Sequence, residues 1–231
     1  MRAVVIQHEK HEDLGLIGPE LTRVGFSLVR RFRDLERVDL EAELVVILGG
    51  GMSVAEVERH PFLQHELAFL TERLALERPC LGICLGSQLL AAAAGAQVSK
   101  GKNGFELGIG PVRWTKPGLE DPVIAGAPSR SIVAHWHQDT FSPVPGATLL
   151  ASTDRYTQQA FRLGSTYAFQ FHLELTAEAW LQWIDAGAEA LVAAGKDPAA
   201  LRKEAGKLKA AEPQNAQLLS RLAEHFARTV G

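Results

Sequence analysis

Cysteine is nearly absent from this chain: there are two among 231 residues, Cys80 and Cys84, four positions apart. A pair so close together cannot build a structural disulfide framework, which excludes small cross-linked secreted folds and predicts a reducing compartment. Long apolar runs are missing as well. The strongly apolar stretches fall far short of the roughly 20 residues a membrane helix needs. The opening Met1-Arg-Ala-Val-Val-Ile-Gln-His8 turns charged too soon for a secretory leader. Charge of one sign is lacking too: 24 Lys and Arg face 27 Asp and Glu, a formal net charge of -3. No basic field invites nucleic acid or an anionic membrane surface. Internal repeats and low-complexity linkers are not found. These absences leave a soluble, cytoplasmic protein as the expectation. The 46% hydrophobic content is enough for the core of one large α/β domain.

Short buried-strand patterns alternate with helical ones over the first half. Ala3–Ile6, Phe26–Phe32, Leu44–Leu48 and Cys80–Ile83 read as strands, the last running straight into helix-forming residues from Ser87 to Ala94. Leu14–Val24 has helical spacing interrupted by Pro19, and Pro61–Glu77 reads as an amphipathic helix with proline in its first turn. This alternation predicts βα units and a mostly parallel sheet. After about residue 104 the texture changes. Leu107–Trp114, Ser131–Trp136, Ala147–Ser152, Thr157–Arg162 and Thr166–Phe171 are strand-like and separated by turn residues, the last three spaced as an antiparallel meander. Ala177–Ala193 returns to helix, and apolar residues from Leu201 to Phe226 predict one or two terminal helices. The expected organisation is one domain over residues 1–195 with a helical extension of that domain over 196–231.

Gly82-Ile83-Cys84-Leu85-Gly86 has the form of a nucleophile elbow, in which a reactive side chain stands on a sharp strand-to-helix turn. Small residues two before and two after are required because the turn presses them against neighbouring backbone. The helix that follows would lower the thiol pKa and aim the Leu85 N–H at a developing oxyanion. The same five residues also suit a small buried cysteine framed by packing glycines. Cys80, inside the apolar run and without such a frame, reads as core. A thiolate needs a base, and the base needs an orienting partner. Gln170-Phe-His-Leu-Glu174 offers both, because residues two apart on a strand share a face and His172 can meet Glu174. A solvated surface pair would look the same.

Taken together, three segments resemble the ordered motifs of class I (triad-type) glutamine amidotransferases. Pro79-Cys-Leu-Gly-Ile-Cys-Leu-Gly-Ser-Gln88 is similar to their nucleophile motif, Gln170–Glu174 to their Q-F-H-P-E motif, and Leu48-Gly-Gly-Gly-Met-Ser53 to their glycine-rich oxyanion loop. His135-Trp-His-Gln-Asp-Thr-Phe141 sits where the stand-alone, GMP-synthase-like members carry an H-x-H-x-D-x-F segment. The resemblance implies a flavodoxin-like, doubly wound, mostly parallel sheet with an antiparallel extension and C-terminal helices. It also implies Cys84 as nucleophile, His172 as base, Glu174 as its orienter, and Gly50 and Leu85 as oxyanion-hole donors. Gln88 and the stretch Trp136, His137, Gln138 and Asp139 would hold the substrate. Leu173 departs from the usual proline, Gly51 stands where many members have proline, and Gln138 where glycine is frequent.

The implied chemistry is hydrolysis of the glutamine side-chain amide through a cysteine thioester, without a cofactor or metal. No Ser-Gly-Gly-x-Asp-Ser pyrophosphatase loop and no phosphate-binding P-loop is found in the sequence. The ammonia would therefore pass to a partner synthase subunit, or the chain would act alone on glutamine. An autonomous γ-glutamyl hydrolase with the same three residues is the nearest alternative, favoured by a wide pocket mouth. A metallohydrolase on His135, His137 and Asp139 lacks a third ligand at a recognisable spacing, and a non-enzymatic binding module has no need of a thiol with a paired base. His8, His11, His60, His65 and His225 read as surface residues. Glu106 suits either a site-lining role or a solvated loop.

Overall fold

The computed structural model describes residues 1–231. The apolar runs of the first half form β1 (Arg2–Gln7), β2 (Ser27–Phe32), β3 (Leu44–Ile47) and β4 (Cys80–Ile83). Every residue of β3 and β4 is buried, as expected of parallel strands covered on both faces. Between and after them come α1 (Ile17–Arg23), α2 (Pro61–Ala75) and α3 (Leu85–Ala93). The second half supplies β5 (Val98–Lys100), β6 (Glu106–Trp114), α4 (Lys116–Glu120), β7 (Arg130–His137) and β8 (Asp139–Phe141). It continues with β9 (Thr148–Ser152), β10 (Ala160–Leu163) and β11 (Thr166–Phe169). Helices α5 (Ala177–Ala186), α6 (Ala188–Ala193), α7 (Pro198–Lys203) and α8 (Ala205–Val230) close the chain.

Nine strands form one sheet in the order β2-β1-β3-β4-β11-β10-β9-β6-β7, with β5 and β8 paired apart from it. Strands β2, β1, β3, β4 and β11 run parallel, and the remainder pair antiparallel. This is the doubly wound sheet with an antiparallel extension that the motifs imply. Alternation along each strand sends Val5 and Val46 to one core with Leu21 of α1, and Val4, Val45 and Ile47 to the other with Leu70 of α2 and Leu89 of α3. Helix α8 docks on the sheet. Leu218, Leu219, Leu222 and Phe226 enter the first core, and the buried Asn215 donates its Nδ2 to the Ile132 carbonyl at 3.1 Å.

Several boundaries differ from the sequence reading. The expected strand at Thr157 begins at Ala160, after an irregular approach with a register shift between Ala160 and Phe161. The expected helix over 177–193 breaks at Gly187, which a Cβ would bring to 3.2 Å from the Trp183 carbonyl oxygen and 3.4 Å from the Trp136 ring. The short α4 and the β5–β8 ribbon escape a periodicity argument because neither is long enough to show a period. No helix is long and apolar enough to cross a membrane.

Candidate active site

Cys84 stands between β4 and α3 with φ 51° and ψ −107°, a conformation that costs a non-glycine residue about 1–3 kcal/mol. The surroundings leave it no alternative. Its N–H donates to the Phe169 carbonyl at 2.8 Å, while its own carbonyl accepts the Ser87 hydroxyl at 2.7 Å and the Ser87 N–H at 3.0 Å. A Cβ on Gly82 would lie 2.6 Å from the Gly86 oxygen, and one on Gly86 would lie 2.1 Å from the Ile47 oxygen. Both positions are therefore closed to side chains, as the elbow requires. The Leu85 N–H lies in the first turn of α3, where helical donors lack intrahelical partners. The Gly50 N–H has no backbone partner, and Gly50 and Leu85 line the same cavity as Cys84.

His172 and Glu174 meet, though not by strand alternation. Strand β11 ends at Phe169, and His172 sits in the irregular segment beyond it, joined to Ala134 of β7 by a single bridge. The His172 N–H donates to the Ala134 carbonyl at 2.9 Å, and the Glu174 carbonyl accepts the Leu16 N–H at 2.8 Å. Backbone pairing to two other segments thus fixes the pair. His172 Nδ1 donates to Glu174 Oε1 at 2.7 Å, which leaves the other ring nitrogen for the thiol. Burial opposes a charged ring here, but Glu174 and Cys84 outweigh it and hold the His172 pKa well above its ordinary value. Trp183 packs against the ring in a T-shaped arrangement at a centroid distance of 4.9 Å. Leu173, where the resembled motif carries proline, is buried in the first core and anchors the same turn by packing.

Two cavities meet at Cys84. One, of about 270 Å³, is lined by Gly50, Met52, Gln88, Phe105, Trp136 and Asp139 among others. The other, of about 260 Å³, lies on the His172 side and includes His11, Glu12, Trp183 and Gly187. Burial pushes the Glu12 carboxyl up to about 7, with His172 working against that rise. Gln88 donates Nε2 to Gln170 Oε1 at 3.1 Å, and Gln170 Nε2 approaches the Cys84 sulfur at 3.7 Å. The Trp136 carbonyl faces the same sulfur at 3.8 Å.

Not every expected residue presents its side chain to this space. The His137 ring is turned away, its Nε2 lying 3.0 Å from Glu106 Oε2, so only its backbone is left for a ligand. Asp139 does not join the histidine pair; its carboxylate accepts the Ser53 hydroxyl, tying this loop to the glycine-rich one. Gln138 lines the first cavity, and its carbonyl accepts the Gly101 N–H at 2.8 Å. Glu106 is not a solvated loop residue but buried, and it accepts hydrogen bonds from Thr153 and Gln159 as well. His8 is not on the surface either. It is fully buried with Nδ1 2.8 Å from the Gly49 carbonyl and Nε2 2.9 Å from Glu66, which braces the glycine loop. Its charged neighbours Glu9 and Lys10 mask this in the sequence. Gln170 opens the Q-F-H-L-E segment, where spacing alone assigns it no role, and Trp183 has no sequence signal because α5 reaches the site only through the fold.

The family model described as glutamine amidotransferase class-I matches residues 20–184. A glutamine amidotransferase-like protein of Salmonella typhimurium, YfeJ, is 35% identical over 143 residues, 60% of this chain and 59% of that protein. A glutamine-hydrolysing GMP synthase of Pyrobaculum aerophilum is 32% identical over 136 residues, 58% of this chain and 25% of that protein. The chain thus matches little more than half of one curated relative and a quarter of the other. Among solved structures, a glutamine amidotransferase from Thermotoga maritima is 35% identical, with 98% of both chains covered and a TM-score of 0.88.

Proposed function

The chain belongs to the class I glutamine amidotransferases, and from that premise we propose that it hydrolyses the side-chain amide of L-glutamine through a thioester on Cys84. The observation that carries this reading is the buried His172–Glu174 pair at 2.7 Å beside a thiol held at φ 51°. A merely structural cysteine has no need of the strain or of the base. The Cys84 sulfur attacks the amide carbon, and the oxyanion that forms meets the Gly50 and Leu85 N–H groups. Protonated His172 passes a proton to the departing nitrogen, which leaves as ammonia. A water then attacks the thioester carbon and gives its proton to His172, releasing glutamate and the thiol. Glu174 keeps the ring in the tautomer that both steps require. Glutamine would occupy the cavity at Gln88 and the backbone of Trp136 to Asp139. The ammonia would pass to a synthase partner, and two unpaired cysteines suit a reducing, cytoplasmic setting.

The second cavity favours a further reading on the same residues. It opens beside His172, where the leaving group must depart, and it is larger than ammonia needs. An autonomous γ-glutamyl hydrolase would place the amine portion of its substrate there. Ammonia release from glutamine and amine release from a panel of γ-glutamyl amides, measured on the unmutated chain, separate the two. Turnover is expected with glutamine and is expected to fall at least about a thousandfold in Cys84→Ala. Full activity in that variant would sink both readings, and a strong preference for bulky amides would select the second.

A further inference from the structure

Three buried side chains beside the catalytic strands take no part in the amide chemistry. The antiparallel register of β6 and β7 sets Glu106 opposite His137 and Gly108 opposite His135, so both rings project on one face. One ligand atom from each of Glu106, His135 and His137 lies within 4.8 Å of the others. His137 Nε2 is 3.0 Å and His135 Nδ1 3.9 Å from Glu106 Oε2. Bonds of about 2.0–2.1 Å to a tetrahedral ion would set such atoms roughly 3.3 Å apart.

Two details point to a cation among them. His137 Nδ1 lies 3.0 Å from the Asp139 carbonyl, which can only accept, so that nitrogen carries the hydrogen. His137 Nε2 is thereby aimed at the Glu106 carboxylate, an arrangement that either a shared proton or a metal ion satisfies. Metal-binding histidines are held in this way, with the far N–H on a backbone carbonyl. His135 Nδ1, on a residue only 5% exposed, has no hydrogen-bond partner. A cavity of about 570 Å³, lined by Glu106, His135, Thr153 and Glu204 among others, reaches this cluster from solvent.

We propose that Glu106, His135 and His137 bind one divalent transition-metal ion of the zinc class, with the remaining coordination position open to that cavity. The proposal goes beyond the glutaminase reading and stands independently of it. The ion would clamp β6 to β7 beside Trp136, whose carbonyl faces the Cys84 sulfur, and would take no part in bond cleavage.

The test uses the full chain carrying Cys84→Ser, which removes the competing thiolate, after treatment with a chelator. Zn²⁺ titration by calorimetry and Co²⁺ titration by visible absorption are the probes. About one ion per chain is expected, with the enhanced d–d bands of low-coordinate Co²⁺ and no thiolate charge-transfer band. His135→Ala and the near-isosteric Glu106→Gln should each weaken binding about 100-fold or more, with folding checked by circular dichroism. Zn²⁺ should also raise the unfolding midpoint of the Cys84→Ser chain but not that of the two ligand variants. Failure of the Cys84→Ser chain to bind either ion at micromolar concentration would overturn the proposal, leaving a proton between His137 and Glu106. So would undiminished binding in a folded His135→Ala variant. Neither result bears on glutamine turnover, which the Cys84→Ala comparison decides separately.

Discussion

The two halves of the sheet hold their functional groups by different means. In the parallel half, backbone sterics hold the Cys84 turn, with the His8–Glu66 pair bracing the neighbouring glycine loop: Gly82 and Gly86 allow no side chain, and the turn is wedged between Ile47 and Phe169. In the antiparallel half, buried side-chain networks do it. Glu106 gathers His137, Thr153 and Gln159. A steric frame has no softer version, because the clashing atoms are main chain. A network of several hydrogen bonds can lose one and keep its shape. Cys84 stands on the rigid frame, and the Trp136–Asp139 stretch stands on the adjustable one.

The largest effect that probes this division lies where the halves meet. Glu174→Gln should lower turnover about 10²- to 10⁴-fold, because the ring loses the partner that fixes its tautomer. The raised His172 pKa adds a pH signature. Its stabilising contribution is complete below about pH 6.5, the unfolded value, and is lost as pH rises through the folded one. Urea unfolding from about pH 6 upward should therefore show a falling component in the unmutated chain that is reduced in Glu174→Gln. Gly86→Ala comes next, with an expected loss of about 3 kcal/mol or more, since its Cβ would meet the Ile47 oxygen at 2.1 Å. Thr153→Val should cost only about 1–2 kcal/mol, by removing the 2.8 Å bond to Glu106 and the 3.0 Å bond that the hydroxyl accepts from the Tyr156 N–H. If the valine variant proved as damaging as the alanine one in the same urea titration, the contrast between frame and network would collapse.

Much of the parallel half is legible in the chain because its information is local. Ala3–Ile6, Leu44–Leu48 and Cys80–Ile83 are continuous apolar runs, and the elbow announces itself by glycines two residues either side of Cys84. The His172–Glu174 contact is anticipated from spacing, yet the structure makes it through pairing to Ala134 and Leu16, segments remote in sequence. The networks are least legible. His8 finds Glu66 fifty-eight positions away, and Glu106 finds His137 thirty-one away. Nothing near any of these residues signals the encounter, since a buried polar group is defined by its partner rather than by its neighbours. For the same reason the third member of the His135–His137 group hides from a search by spacing, and Asp139 offers itself there wrongly.

The two cysteines, four positions apart, have opposite surroundings. Cys80 is fully buried in β4, with its thiol pushed up by burial, whereas Cys84 opens onto the cavities at the strand end. The chain therefore carries its own gauge of integrity. A thiol-directed chromogenic reagent should consume one equivalent promptly in the native protein. The second should react only as fast as β4 leaves the centre of the sheet, so that the slow phase of labelling times the opening of the core.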